Sequence, residues 1–304
     1  MNVATTGTRN SWSDGIDQRQ PLEALGLLLD GQIAAATSVR EALPAIAEMA
    51  QAMAQTIKNG GRLFYAAAGS SGLMAMADAL EIPGTFGIPM SRIVVLFAGG
   101  RDALRDMVGG VEDDMAQAKA DVLAHHISSN DFLITVSASG TTPYALAILD
   151  VAKSVGAKSA GIANNAGSPL LNGSDIKICL PTPPEVLAGS TRMGAGTAQK
   201  IALNMASTLM AIELGHVHDG FMVNVRADNI KLIRRARTIV ATISGCSEDE
   251  ASRVLELADG DVKRAVLLSC GIKTLPQAEM LLERSGQKLR PALSEIGRAS
   301  SAGA

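Results

Sequence analysis

Leu22, Leu25, Leu28, Leu29 and Ile33, then Leu43, Ile46 and Met49, recur near helical spacing. Residues 21–59 are therefore expected to be helical, up to the break at Asn59-Gly60-Gly61. Beyond that break the pattern changes to short apolar runs: 62–67, 93–97, 131–136, 159–163 and 176–180. Helical segments separate the first four, one running to about Leu80, one over 112–126 and one over 143–155. Strands that alternate with helices predict an α/β fold, a doubly wound parallel five-stranded sheet with helices on both faces. From about residue 194 the pattern is helical throughout: 196–213, 225–243, and a trio over 247–258, 260–270 and 275–285. Residues 1–20 and the tail from Ala299 read as loosely ordered. The expected organisation is an N-terminal helical arm (1–44), a central α/β domain (45–220) and a C-terminal helical module (221–304) with a disordered tail.

Composition narrows the class. The 304 residues suit one large and one small domain, with 47% hydrophobic residues to fill their cores. No uninterrupted apolar run approaches the roughly 18 residues of a membrane span, and no basic start leads into an apolar stretch as in a signal peptide. No membrane partner is expected, and the reading is a soluble, cytoplasmic chain. The net charge of -3 gives no reason to expect nucleic acid. Lys231, Arg234, Arg235 and Arg237 on one helix read as a solvated face. Cys179, Cys246 and Cys270 are far apart in sequence and read as reduced thiols. His125-His126 and His216-x-His218 lack the further ligands a metal site needs, so neither metal nor cofactor is expected.

The chemistry-bearing signal is a pair of Ser/Gly loops, each placed after a strand and before a helix. Ser137, Ser139 and Thr142 present three hydroxyls at a helix N-terminus, where unpaired N–H groups and the helix dipole favour an anion. Gly140 would allow the anion to approach closely, and Ser70 and Ser71 add hydroxyls from the neighbouring loop. Ordinary Ser/Thr capping explains one such loop well. Two loops on successive units of a parallel sheet point instead to a phosphate site. The Gly-Lys-Ser/Thr ending of a nucleotide P-loop and the spacing of a dinucleotide fingerprint are both absent.

Residues 137–142 resemble the phosphate loop of the sugar isomerase (SIS) domain family. Five stretches are similar to one branch of it, the N-acetylmuramic acid 6-phosphate etherases, whose relatives include the glucokinase regulatory protein. They are YAAAGSSGLMAMADALEIPGTFG from Tyr65, VGGVED from Val108, SGTTPY from Ser139, GSTRMGAGTAQKIALNMAST from Gly189 and MVNVRADNIKL from Met222. Arg9-Asn10 also has a family counterpart. The resemblance implies cleavage of the D-lactyl ether at C3 of N-acetylmuramic acid 6-phosphate, a sugar-phosphate substrate, a homodimer with shared sites, and no metal. It puts the two catalytic glutamates on Glu81, the acid that protonates departing lactate, and Glu112, the base at C2. Leu80, Ile82 and Pro83 beside Glu81 predict an apolar pocket that would favour the protonated acid. Arg192 and Lys200 are the expected cations of the substrate site. Leu73, Thr141 and Gly194 stand where the family usually carries a cation, and Leu80 where it carries Ser. A non-catalytic sugar-phosphate sensor, or an SIS enzyme acting on another sugar phosphate, therefore stays open beside the etherase reading.

Overall fold

A computed structural model describes residues 5–106, 109–225 and 230–302, with side chains for 6–298 of these stretches. It opens with single 3-10 turns at Thr5–Gly7, Ser11–Ser13 and Ile16–Gln18. Helices α1 (Pro21–Ser38) and α2 (Leu43–Lys58) follow. The α/β section then runs β1 (Leu63–Ala67), α3 (Gly69–Phe86), β2 (Ile93–Phe97), α4 (Gly100–Ala103), α5 (Met115–Ala124), β3 (Phe132–Val136), α6 (Pro143–Ser154), β4 (Lys158–Ala163), α7 (Pro169–Gly173) and β5 (Ile176–Cys179). The long helix α8 (Gly194–Glu213) leads into a two-stranded hairpin, β6 (Val217–His218) with β7 (Phe221–Met222). Helices α9 (Ile230–Ser244), α10 (Glu248–Leu257), α11 (Val262–Ser269), α12 (Leu275–Arg284) and α13 (Leu289–Ala302) complete the chain.

The five strands form one sheet in the order β2-β1-β3-β4-β5, and each pair is parallel. β1 and β3 are buried along their whole length, as sheet strands covered on both faces must be. Alternation decides which side chain faces which layer. Phe64 and Ala66 point into a core shared with Tyr144 and Ile148 of α6 and Leu170 of α7. Tyr65 points to the opposite face, where its hydroxyl meets Asp78 of α3.

The chain divides into two compact units, Met1–Leu80 with Met90–Leu209, and Glu81–Pro89 with Met210–Ala304. The first holds the sheet. The second has its own core, in which Ile239 and Val240 of α9 pack with Val254 of α10, Val266 of α11 and Leu281 of α12. Ser247, Asp261 and Thr274 cap α10, α11 and α12 through their side chains.

Several expectations change. The N-terminal arm is not a separate body, and the second boundary falls inside α8 rather than at 220, because that helix continues unbroken past Leu209. The C-terminal trio is joined by α13, which carries helix through Ala302, where an irregular tail was expected from Ala299. Residues 6–18 are tied into the first unit by hydrogen bonds instead of hanging loose. The Val108 and 226–229 portions of the family-like stretches lie outside the described residues. The stretch Pro21–Lys58 is long and apolar enough, by length and composition alone, to cross a membrane, which counting uninterrupted apolar runs does not detect. On α1, Leu22 (83% exposed), Leu25, Leu29 and Ile33 lie open, and Ala35 is its buried residue.

Candidate functional site

The strand order reverses at β1 and β3. β2 extends the sheet from one of them, and β4 with β5 extends it from the other. Chains leaving the carboxyl ends of these two strands diverge, and the crevice between them is where open α/β sheets take ligands. A pocket of about 460 Å³ lies there. Ser70 and Ser71, in the first turn of α3, form one wall, and the loop from Ser137 to Pro143 forms the other. Glu112, Asp113 and Thr191 line the remainder.

The second loop is held together by its own hydroxyls. The hydroxyl oxygens of Ser137 and Thr142 lie 2.8 Å apart, and those of Ser137 and Ser139 lie 3.3 Å apart. The Gly140 N–H donates to the Ser137 hydroxyl oxygen at 3.0 Å, and the Thr141 N–H donates to that of Ser139 at 3.1 Å. Thr142 stands at the N-cap of α6, yet its side chain makes no capping bond, and Pro143 at the first helical position has no N–H to cap. Ordinary capping therefore does not account for these hydroxyls. The N-terminus of α6 remains available to an anion.

Gly140 has a conformational and packing task in the loop. It does not line the pocket, its φ is +71°, and a Cβ there would lie 2.2 Å from the Ser168 hydroxyl oxygen. Glycine is required there by the turn and by the packing of the β4–α7 loop.

Glu112 lies in a single 3-10 turn, Val111–Asp113, with Asp113 beside it. The helix expected from residue 112 begins at Met115, and Asp114 caps it by accepting the Gln117 N–H at 2.9 Å. Glu112 is exposed toward the pocket it lines. Glu81 is eleven residues beyond Ser70 in the sequence of α3. It is exposed, as is Leu80 at 53%.

Arg192 and Lys200 are both exposed and neither lines the pocket, whose described lining contains no basic side chain. Lys200 instead donates to the Asn204 side chain at 2.5 Å. Asn204 donates to buried Asp78 at 2.7 Å, and the Ser207 and Tyr65 hydroxyls reach the same carboxylate at 2.8 and 3.1 Å. Burial, and then the charge of Asp78, pushes the Tyr65 phenol well above its ordinary range, so it stays a donor.

Among residues the sequence pattern did not single out, Glu185 is buried and binds the first N–H groups of α8. Asn165 is buried beside the Ser139 loop. Thr191 lies in the family-like stretch from Gly189, but no local pattern marks it as a pocket wall. Among the described residues no three His, Cys, Asp or Glu side chains gather as metal ligands would.

Residues 111–193 match the SIS domain family. The chain is 38% identical over 296 residues to the N-acetylmuramic acid 6-phosphate etherase of Photorhabdus laumondii, covering 97% of this chain and 98% of that one. It is 42% identical over 281 residues to the protein of the same name from Deinococcus radiodurans, covering 92% of each. Among solved structures, a phosphoheptose isomerase from Francisella tularensis aligns over 64% of this chain and 98% of its own, at 23% identity and a TM-score of 0.48.

Proposed function

Because the chain belongs to the N-acetylmuramic acid 6-phosphate etherase family, we propose that it cleaves the D-lactyl ether of N-acetylmuramic acid 6-phosphate. The products are N-acetylglucosamine 6-phosphate and D-lactate. The observation that carries this reading is the meeting of two hydroxyl-lined helix N-termini and Glu112 around one pocket at the reversal of strand order. Its volume of about 460 Å³ is in the range of small-molecule sites.

The phosphate lies against Ser70, Ser71, Ser137, Ser139 and Thr142, held by hydroxyls and helix dipoles rather than by a basic side chain. With the sugar open to its aldehyde, Glu112 takes the proton from C2. The C3–O bond breaks, the departing lactate oxygen takes a proton from the acid, and water adds to C3 of the alkene. One carboxylate must be ionised and the other protonated, which different surroundings provide. We assign the acid to Glu81. Its exposure fits a homodimer in which the partner subunit's Glu81 completes the site. The open apolar residues of α1, Leu22, Leu25, Leu29 and Ile33, are the surface such a dimer would cover. A cytoplasmic enzyme of amino-sugar and cell-wall recycling follows from this substrate.

A second reading, a sugar-phosphate sensor without turnover or an enzyme for another sugar phosphate, is favoured by one observation: among the described residues the pocket lining has no cation for the lactyl carboxylate. Incubation with N-acetylmuramic acid 6-phosphate decides between them. Lactate released in proportion to enzyme supports the lyase. Binding of the sugar phosphate without lactate supports the second reading.

A further inference from the structure

We propose that the N-terminal segment 6–14 is a strap belonging to the sugar-phosphate site, and that Asn165 is the positioning residue through which it sets the phosphate loop. The inference rests on the phosphate-site reading above. Asn165, buried in the loop between β4 and α7, joins Thr6 to the Ser139 loop through its carboxamide. Its oxygen accepts the Thr6 N–H at 3.3 Å, and its nitrogen donates to the Thr6 hydroxyl at 2.9 Å and to the Ser139 carbonyl at 3.2 Å. A second fastening lies four residues along the strap. Buried Asn10 donates to the Pro184 carbonyl at 2.8 Å, next to Glu185, the residue that holds the start of α8 just beyond the pocket residue Thr191.

The strap is attached by polar bonds to the loops of the site and adds little to the core: its Trp12 is 43% exposed. The bond to Ser139 has a chemical consequence. The Ser139 carbonyl and the Gly140 N–H belong to one planar peptide, so fixing the carbonyl fixes the N–H. That N–H donates to the Ser137 hydroxyl oxygen, which leaves the Ser137 proton free to be donated. Its direction is then toward Thr142 or Ser139 or, in the complex, toward a phosphate oxygen. Thr6 and Asn165 thus prepare the loop for an anion without touching it, and removing either leaves the hydroxyls present but less well aimed.

Calorimetry with N-acetylglucosamine 6-phosphate tests this on full-length Thr6→Val, Thr6→Ser, Asn165→Ala and Ser139→Ala. Thr6→Val and Asn165→Ala should each weaken binding by about five- to tenfold, the scale of one hydrogen bond. The melting temperature of Thr6→Val should stay within about 2 °C of the parent, the shift expected from roughly 1 kcal/mol of lost stability in a chain of this length. Thr6→Ser keeps the hydroxyl and should bind as the parent does. In turnover, KM should rise while kcat stays within about twofold, as loss of uniform binding requires. If Ser139→Ala loses affinity while Thr6→Val and Asn165→Ala bind normally, the strap has no part in the site. An unchanged affinity in Ser139→Ala would overturn the phosphate site itself, and the strap's role with it.

Discussion

The Glu185 carboxylate lies across the N-terminus of α8, with one oxygen accepting the Gly194 N–H at 2.9 Å and the other accepting that of Ala195 at 2.8 Å. The positive end of this 20-residue helix is therefore occupied from within the chain, and the starts of α3 and α6 are the ones that line the pocket. The same contact accounts for Gly194. A Cβ there would lie 3.0 Å from a Glu185 oxygen and 3.1 Å from the Ala35 Cβ, so a longer side chain requires its neighbours to give way.

Glu185→Ala removes a buried acceptor from two N–H groups and should lower stability by about 2–3 kcal/mol. Urea unfolding followed by circular dichroism measures this, and a midpoint equal to the parent's would show that the helix start finds other partners. Glu185→Gln retains one acceptor and should lose about half as much.

Ser137→Ala and Ser139→Ala should each reduce affinity for a hexose 6-phosphate by about 1.5–3 kcal/mol, the value of a hydrogen bond to a charged group. The Ser137 change should also loosen the loop, because that hydroxyl receives the Gly140 N–H and meets Thr142. Calorimetry on both variants checks the order of the losses, Ser137 being the larger.

The two glutamates are separable by isotope exchange. Glu81→Gln should retain exchange of the C2 proton with deuterated water while lactate release falls by about 10²-fold, the scale of a lost general acid. Glu112→Gln should lose both, since without the base no carbanion forms. Equal loss of exchange in the two variants would remove the division of roles, and full turnover in both would remove the two glutamates from the reaction.

His216 gives the protein a pH dependence of its own. Burial, and next the positive charge of Lys263, hold it down to about 4, although a backbone hydrogen bond at Phe86 pulls the other way. Folded His216 is neutral, and unfolding lets it take up a proton. Its contribution is therefore complete above the unfolded value of 6.5 and declines as pH falls toward 4, by roughly 3 kcal/mol in all. Thermal melts of the parent between pH 7 and 4 should show this slope, and His216→Gln should flatten it.

At the opposite end of the sheet from the pocket, Asp131 accepts the Arg62 backbone N–H at 2.9 Å and its guanidinium at 2.8 and 3.1 Å, and also binds Ser128. Burial raises the Asp131 carboxyl, but the bonds from Arg62 and Ser128 outweigh it and hold the group below its ordinary value of 3.8. Its stabilisation is present above about pH 4 and is lost as pH falls through the lowered value. Asp131→Asn should cost about 2 kcal/mol of stability at neutral pH. Sugar-phosphate affinity should not change, and a loss of it would mean that this end of the sheet communicates with the loops.

Local pattern by itself determined the five strands, their alternation with helices, and the two Ser/Gly loops at strand ends. A run such as Ile93–Phe97 or Phe132–Val136 has one way to bury both faces, and helices between such runs force parallel neighbours. The resemblance carried by the loops and the Gly189–Thr208 stretch singled out Glu112, which lines the pocket together with the Ser137–Pro143 loop. Contacts across long sequence separations were decided only by the tertiary structure. Thr6 meets Asn165 and Asn10 meets Pro184 because the strap crosses strand ends far away in the chain, and no periodicity encodes a single polar bond of that kind. The same holds for Glu185 on α8, for Lys200 drawn to Asn204, and for the open position of Glu81. Apolar spacing records which side of an element is buried, but a polar side chain's partner depends on which loops the fold brings within about 3 Å of it.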